Sequence, residues 1–415
     1  MTAVTSLPNP IYPSFWTREQ ADIEADLATL RREAPVSFHE EPEMPEGLPL
    51  ERGPGYWAVT KLDDILHVSK HPELFSSAKG ITVTDFPPGF DEFFSSMIAM
   101  DDPRHARLRR IVSAGFTPRM LGRLEESVQQ VAARIVDDVR DRGEFDFITD
   151  VAAALPLKIV CDLMGIPDSE YRFVFDRTNV ILGASDPEYV PDETDIVTAI
   201  LTAGGDLAAL MQRVAESKKG GDGTDLTSML INAKVPDDEL SPSDLASFFI
   251  LLVAAGNETT RNAIGWGLHF LTQNPDQRAI WQNDFERVAP TAVEEIVRLA
   301  SPVTYMRRTA TQDTVVGGQQ IKAGDKLCLF YLSANRDEDH FVDPYRFDVL
   351  RSPNNHVGFG GPGPHYCLGA HLARREITVM FRELFHRLPG IVATGAPQPL
   401  QASFIHGVKH LAASA

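Results

Sequence analysis

The stretch GGPGPHYCLG, residues 360–369, sets Cys367 in a tight Gly/Pro loop that leads directly into a helix-forming segment, AHLARREITVMFRELFHRL. Four kinds of cysteine fit such a place: a reactive thiol, half of a disulfide, a zinc ligand or an axial ligand of haem iron. Composition removes two of them. The 415 residues hold three cysteines, Cys161, Cys328 and Cys367, with no CxxC pair, so neither a disulfide framework nor a cysteine-rich zinc site can be assembled.

Working outward, the N-terminal MTAVTSLPNPIYPSFW has no basic region followed by an apolar core and no lipidation motif, and the thiols read as reduced, so the sequence predicts a cytoplasmic protein. The longest apolar run, LASFFILLVAAG (Leu245 to Gly256), is 12 residues, short of the ~20 needed to span a bilayer. It predicts a buried helix. A formal charge of -19 argues against nucleic acid and anionic membranes as partners, because phosphates are gripped mainly by Lys and Arg. Positive charge still clusters in RHARLRR (Arg104 to Arg110) and at Arg374 and Arg375. No linker, repeat or low-complexity tract interrupts the chain, and ESKKGGDGTD (Glu216 to Asp225) reads as a loop between helices, so residues 1–415 are expected to form one domain.

The pattern is mainly helical. REQADIEADLATLRRE, MLGRLEESVQQVAARIVDDVRD and DLAALMQRVAES space apolar residues by three and four, as amphipathic helices do. The apolar run belongs to a helix that begins at SPSD, with Ser241 as cap, Pro242 in the first turn and Asp244 facing the free amides, and continues to Asn274-Pro275. A helix of about thirty residues that is apolar nearly all round must cross the centre of a fold. GYWAVT, TVVGGQQI and KLCLFYL predict small sheets.

Inside that helix AAGNETT (Ala254 to Thr260) breaks the rules of a buried segment. Gly256 costs about 1 kcal/mol in helix propensity, and Asn257, Glu258, Thr259 and Thr260 bring polar groups into apolar surroundings. The Thr259 hydroxyl can turn back to the carbonyl of Ala255 and open the helix, leaving room for a small ligand or waters; a purely structural kink is the competing reading. Two further pairs are neutral alone. Glu295 and Arg298 in EEIVR share a helix face, ordinarily a solvated one, and so do His105 and Arg109, which could together hold a carboxylate.

In chain order HARLR, AGNETT, EEIVR, RRTATQD and FGGPGPHYCLGAHLARRE resemble the cytochrome P450 haem-thiolate monooxygenases of the soluble bacterial type, along essentially the whole chain. The resemblance implies a mainly α fold with small β-sheets, the triangular P450 prism, with haem b between the long central helix and the Cys-loop helix. Cys367 is then the metal ligand, and Gly360 and Gly369 belong to the loop whose amides moderate the sulfur's charge. Arg109, Arg308 and His365 match positions that grip the haem propionates, with His105 beside them. Arg308 is preferred to Arg307 because RTATQD aligns with the family's Arg-x-Ala. Glu295 and Arg298 match a buried structural pair completed by Arg346 or Arg351, and Ala255, Gly256, Glu258 and Thr259 match the oxygen-binding kink. Phe359 stands one residue farther from the cysteine than is commonest in the family, which leaves its packing against the haem open.

The implied reaction inserts one atom of O2 into a C–H bond of an apolar substrate. Thr259 and Glu258 serve proton delivery, and the electrons come ultimately from NAD(P)H through a ferredoxin and its reductase, since the chain has no flavin or dinucleotide fingerprint. The basic clusters offer a face for an acidic ferredoxin, or are ordinary solvated helix faces. SFFILLVAAGNETTRNAI, PTAVEEIVRLASPVTYMRRTATQD, TNVILGASDP and FIHGVKH are similar to the actinobacterial subgroup that hydroxylates terminal methyl groups of branched fatty acids, isoprenoids and sterol side chains. The Phe-rich loop from Ile81 to Met100 suits an apolar wall, or is ordinary core under a loop. Phe86, Phe93, Phe94, Met97, Val303, Tyr305, Met306, Phe404, Ile405 and His406 are expected to line the substrate cavity. The competing functions are a secondary-metabolite (polyketide or terpenoid) tailoring hydroxylase, a peroxide-driven enzyme, and a haem sensor or carrier without turnover.

Overall fold

Ser241 starts the long helix as the sequence predicts. Its Oγ accepts the amide of Asp244 at 3.0 Å while the Asp244 carboxylate accepts the amide of Ser241 at 3.2 Å, a reciprocal box with Pro242 in the first turn. In the computed structural model, which describes residues 7–43, 52–85, 96–116, 118–191, 195–232 and 241–415, this helix runs Pro242–Gln273, 32 residues, or about 48 Å at 1.5 Å per residue. It ends where Pro275 interrupts the pattern, and the Asn274 side chain donates to the Phe270 carbonyl at 2.8 Å. Helices Ala154–Met164, Ile196–Lys218, Phe285–Ala300 and Ala370–Arg387 pack around it, which is why its sequence is apolar in nearly every direction.

The outer helices follow the three- and four-residue spacing. Gln20–Glu33, Pro118–Val139 and Ile196–Lys218 cover the amphipathic segments, and Val128, Val131, Ala132 and Val136 form the buried stripe of the second. Among the described residues no helix is long and apolar enough to cross a membrane.

A five-stranded sheet lies to one side, in the order Val36–His39, Tyr56–Val59, Lys326–Phe330, Tyr305–Ala310, Phe75–Ser76. The second and third strands are parallel and the other pairs antiparallel. Thr314–Val316 and Gln319–Ile321 form a hairpin whose turn, Gly317 (φ 54°) and Gly318 (φ 79°), needs left-handed backbone at both positions. Alternation along Tyr305–Ala310 matters for the site. Met306 and Arg308 point to one face, while Tyr305 and Arg307 point to the other.

The Glu295–Arg298 pair is wholly buried, unlike the solvated pair that spacing alone suggests. Arg298 donates from Nε and Nη2 to the two Glu295 oxygens at 2.8 Å each, and from Nη1 to the carbonyls of Asn335 and Pro344 at 2.8 and 2.7 Å. Arg351 completes the group, its Nε 3.0 and 3.1 Å from the Glu295 oxygens; Arg346 supplies only its carbonyl. The Asp348 amide and Asn354 Nδ2 add 3.0 and 3.1 Å bonds to the same carboxylate. One carboxylate thus ties the helix Phe285–Ala300 to the meander before the cysteine loop. Leaving one member of such a cluster unpaired costs about 3–5 kcal/mol. Glu295→Ala is therefore expected to lower stability by about that amount, read from urea unfolding midpoints, and a loss under about 1 kcal/mol refutes the assignment.

Candidate active site

Cys367 faces a cleft between the central helix and the start of Ala370–Arg387. The loop's backbone fixes it there. Gly360 (φ 83°) donates its amide to the Val357 carbonyl at 2.9 Å, and the Cys367 amide bonds the Phe359 carbonyl at 3.0 Å. Gly363 (φ 154°) lies so close to the helix Leu62–Lys70 that a Cβ there would sit 2.2 Å from the Ser69 carbonyl oxygen. Only glycine fits. Enclosure by protein raises the pKa of the Cys367 thiol, while the amide of Gly369 and the charges of Arg109 and Arg374 pull it down. A donor amide and two cations aimed at one sulfur are what a stabilised thiolate needs.

The loop is clamped from behind. Arg374 donates to Glu294 at 2.5 and 3.0 Å, and His356 Nε2 lies 3.0 Å from the same carboxylate. The Arg374 guanidinium sits 4.3 Å above the ring of Phe359, which lines the cleft and packs against the main core.

Opposite Cys367 the central helix presents Ala255, Gly256, Thr259, Thr260 and Ala263. Thr259 Oγ1 donates to the Ala255 carbonyl at 2.7 Å, the back-bond that the sequence predicts. A Cβ on Gly256 would meet Val160 Cγ2 at 2.8 Å, so this glycine also serves close packing against Ala154–Met164. Glu258 does not line the cleft. It is buried on the far side of the helix, paired with Arg261 and accepting from Asn262 Nδ2 at 3.2 Å, and Arg261 donates to Asn179 Oδ1 at 3.0 Å. Glu258 Oε2, Arg261 Nε and both side-chain amide atoms of Asn257 are buried with no protein partner among the described residues. Four such atoms within two turns make a polar site of the kind that ordered water fills.

One edge of the cleft concentrates positive charge. Arg109 on Arg104–Ser113 faces it with His365 and Arg308, and His105, one turn before Arg109, lies behind against His365. The His105 and His365 rings stand 4.3 Å apart, His105 Nε2 is buried without a partner, and Arg109 donates to the Tyr366 carbonyl at 2.7 Å. Arg308 is 7% exposed and donates to the Arg307 carbonyl at 2.7 Å; among the described residues neither Arg308 nor Arg109 pairs with a carboxylate. Arg307, on the other face of the strand, pairs with Asp85. Burial, then Arg308, His105 and Arg109, push His365 down to about 3, so it is neutral at pH 7. A buried cation without counter-charge, as Arg308 is among the described residues, calls for an anionic ligand. These residues fit a haem, whose carboxylates would answer Arg308 and Arg109 and whose iron would take the Cys367 sulfur.

Of the expected substrate residues, Met97, Val303 and Met306 line the cleft. Phe86, Phe93 and Phe94 lie outside the described residues. The expectation fails for Tyr305, Phe404, Ile405 and His406, which belong to the core behind the strand. Tyr305 points to the opposite face and accepts the Val83 amide at 3.3 Å, with Phe404 edge-on at 5.6 Å. Ile405 bridges to Val303 and packs with Leu400 and Ala402, and His406 bonds the Ala300 carbonyl at 2.6 Å and stacks on Trp266. Sequence reasoning missed Phe248, Leu251 and Leu252, which line the cleft two to three turns before Thr259 and could have been found by extending its helical face.

A thiolate loop, a Thr kink across from it and an anion-seeking edge define a haem-thiolate protein, and the chain belongs to the cytochrome P450 family. That family's sequence model, Cytochrome P450, matches residues 207–401. The chain is 48% identical over 423 residues to the Methyl-branched lipid omega-hydroxylase of Mycobacterium tuberculosis (strain ATCC 25618 / H37Rv), covering 99% of this chain and 97% of that protein. It is 36% identical to the Steroid C26-monooxygenase of Rhodococcus jostii (strain RHA1), covering 98% and 86%. The solved structure of a Mycobacterium marinum cytochrome P450 in complex with pseudoionone superposes with a TM-score of 0.93 at 39% identity, over 99% of this chain and 98% of that one. Family membership makes the chain a monooxygenase that uses haem, thiolate ligation and O2.

Two outcomes follow from the electrostatics. Arg308→Leu is expected to raise the stability of the cofactor-free protein, where the charge is uncompensated, and to weaken haem retention by about 2–5 kcal/mol, measured by haem transfer to an acceptor protein. Unchanged retention refutes the propionate assignment. Glu294 is held at about 2, below its ordinary 4.5, chiefly by His356 and Arg374 acting against burial. Its folded value is depressed, so its stabilisation is complete above pH 4.5 and is lost as pH falls toward 2. The loss is about 3 kcal/mol at 1.36 kcal/mol per unit. Glu294→Gln should flatten that part of the stability–pH curve, and an unchanged acid slope excludes the clamp.

Proposed function

We propose that residues 1–415 form one haem domain that hydroxylates the terminal methyl of an apolar, methyl-branched chain: a branched fatty acid, an isoprenoid or a sterol side chain. The observation that carries the chemistry is the Cys367 sulfur facing the Thr259 kink across a cleft whose far edge holds unpaired Arg308, Arg109 and His365. The substrate class is supported by the apolar remainder of the cleft, with Met97, Ile98, Phe248, Leu251, Leu252, Val303 and Met306, and by similarity to a methyl-branched lipid omega-hydroxylase and a steroid C26-monooxygenase. Such a wall selects by shape and lets the chain end reach the reacting centre.

Cys367 holds the haem iron, Arg109, Arg308 and His365 hold its propionates, and the bound haem supplies O2 activation and C–H oxidation. The chain's own residues do the rest. Apolar side chains exclude water and orient one C–H bond. The Thr259 hydroxyl exchanges its bond to the Ala255 carbonyl for one to water in the cleft and positions a proton there. Glu258, behind it, takes protons from the ordered water that its unpaired Oε2, Arg261 Nε and Asn257 require, and returns them toward Thr259. Electrons arrive from NAD(P)H through a ferredoxin and its reductase. Support for the docking face is the exposed basic side of Arg104–Ser113 beside Tyr366, on an otherwise acidic chain.

The test is a spectral titration with branched fatty acids, isoprenoids, sterols and macrolides, watching the Soret band for displacement of the iron's water, after the dithionite-reduced carbon monoxide complex has been checked for the thiolate signature. Lipids are expected to shift the band and macrolides not; the reverse establishes a secondary-metabolite enzyme. With a ferredoxin system, Thr259→Ala should lower product formation by about 10²-fold at unchanged lipid affinity. Full activity in that variant removes Thr259 from the mechanism, and absence of any product in the wild type favours a carrier or sensor.

A further inference from the structure

Two histidines outside the cleft stand one turn apart and against each other. His67 lies in the last turn of the helix Leu62–Lys70, and His71 is the residue that caps its end. Their ring centroids are 4.5 Å apart, with the planes tilted by 44°. A spacing of four residues puts both on one helix face. His71 is held there by its Nδ1, which lies 2.7 Å from the His67 carbonyl oxygen, an acceptor that the helix end leaves free. A carbonyl can only accept, so Nδ1 carries the ring proton and Nε2 keeps its lone pair. An imidazole oriented through one nitrogen by a backbone carbonyl and free at the other is the arrangement that metal-binding histidines adopt. His67 is exposed and stands edge-on to Phe75, with centroids 6.0 Å apart. Its ring makes no hydrogen bond or ion pair among the described residues.

The surroundings favour a cation. Asp64, one turn before His67 on the same face, is half-buried and has no ion-pair partner among the described residues. The neighbouring charges are engaged elsewhere, Asp63 with His340 at 3.1 Å and Lys61 with Asp339. The chain as a whole carries a formal charge of -19. Imidazole nitrogens suit zinc, copper and nickel, whereas magnesium and calcium take oxygen ligands. A zinc–nitrogen bond is about 2.0–2.1 Å, a reach at which two rings this close share one ion. Among the described residues no third His, Cys, Asp or Glu completes a cluster, so water takes the remaining positions and the ion stays exchangeable.

We propose that His67 and His71 form a binding site for one divalent cation of the zinc, copper and nickel class, with Asp64 supplying negative charge beside it. The two donors span residues 68–70, and a bound ion ties the helix end across them. That turn is the seat of the cysteine loop: a Cβ on Gly361 would strike Ser69 Oγ, and one on Gly363 the Ser69 carbonyl. The ion therefore stabilises the surface on which the loop rests. The site itself is independent of the haem-thiolate reading, and only its effect on the loop's cofactor rests on it.

The experiment is a calorimetric titration of the full-length haem-loaded protein with Zn2+, which has no redox chemistry of its own. One ion per chain is expected. His67→Phe keeps a ring against Phe75 and removes both nitrogens, and it should weaken binding more than about 10-fold, as should His71→Ala. His386→Ala, at an exposed histidine near the far end of Ala370–Arg387, should leave binding unchanged. Zinc should raise the thermal unfolding midpoint of the wild type and not that of His67→Phe, because a ligand held only by the folded state stabilises it. Equal affinity in His67→Phe and wild type marks an adventitious ion only and overturns the site, and an equal rise in midpoint does the same. Since His71→Ala also loses the bond to the His67 carbonyl, His67→Phe decides the matter if the other variant does not fold. Release of haem to an acceptor protein should slow when zinc saturates the wild type. An unchanged rate with zinc bound overturns the link to the cysteine loop. A thiolate signature missing from the carbon monoxide spectrum sinks the haem-thiolate reading instead and leaves the zinc site standing.

Discussion

Everything in the molecule is arranged so that one sulfur can be held as an anion inside protein. A thiol enclosed as Cys367 is would ordinarily keep its proton, because burial raises its pKa. Three donors oppose burial, the amide of Gly369 and the guanidinium groups of Arg109 and Arg374, and each is fixed by a different part of the chain. Gly369 precedes the helix Ala370–Arg387, Arg109 is held by the Tyr366 carbonyl, and Arg374 is locked to Glu294. Further out, the Glu295–Arg298–Arg351 cluster anchors the meander that delivers the loop, and Ser69 leaves space only for glycine at position 363. Several buried charges that contribute little net stability of their own are thus the means by which one reactive atom is placed.

The cleft wall is electrostatically incomplete by itself. Arg308 and His365 are enclosed without an anion, and Arg308 has the pKa-lowering signature of an unpaired buried cation. Across the central helix lie the unpaired polar atoms of Asn257, Glu258 and Arg261. The two deficits differ in kind. The first asks for negative charge beside Arg308, which a porphyrin carboxylate would supply and water cannot. The second asks for donors and acceptors without net charge, which water satisfies.

The sequence carried the axial features of this design because their physics is local. The Ser241 cap, the Asn274-Pro275 stop, the Thr259 back-bond and the Gly/Pro loop are each decided within four residues, and they stand where the spacing predicts. Features that depend on tertiary placement were readable only in part. Glu295 and Arg298 share a helix face in any helix, and only packing decides that the face is inside. Tyr305, Phe404 and Ile405 illustrate the opposite error, since proximity in sequence to Met306 and Val303 says nothing without strand parity. Counting by two from Met306 reaches Arg308 and leaves Tyr305 and Arg307 behind the sheet.

The central helix then has an asymmetric task. On one side Glu258 is paired with Arg261, and its Oε2 has no partner among the described residues. On the other side Glu376 is buried with no ion pair among the described residues. Thr259 and Thr260 are consecutive, 100° of helical rotation apart, and both line the cleft, with the Thr259 hydroxyl turned back to the Ala255 carbonyl. Two adjacent threonines in an apolar helix cost helix propensity, and the cleft opposite Cys367 is where that cost is placed.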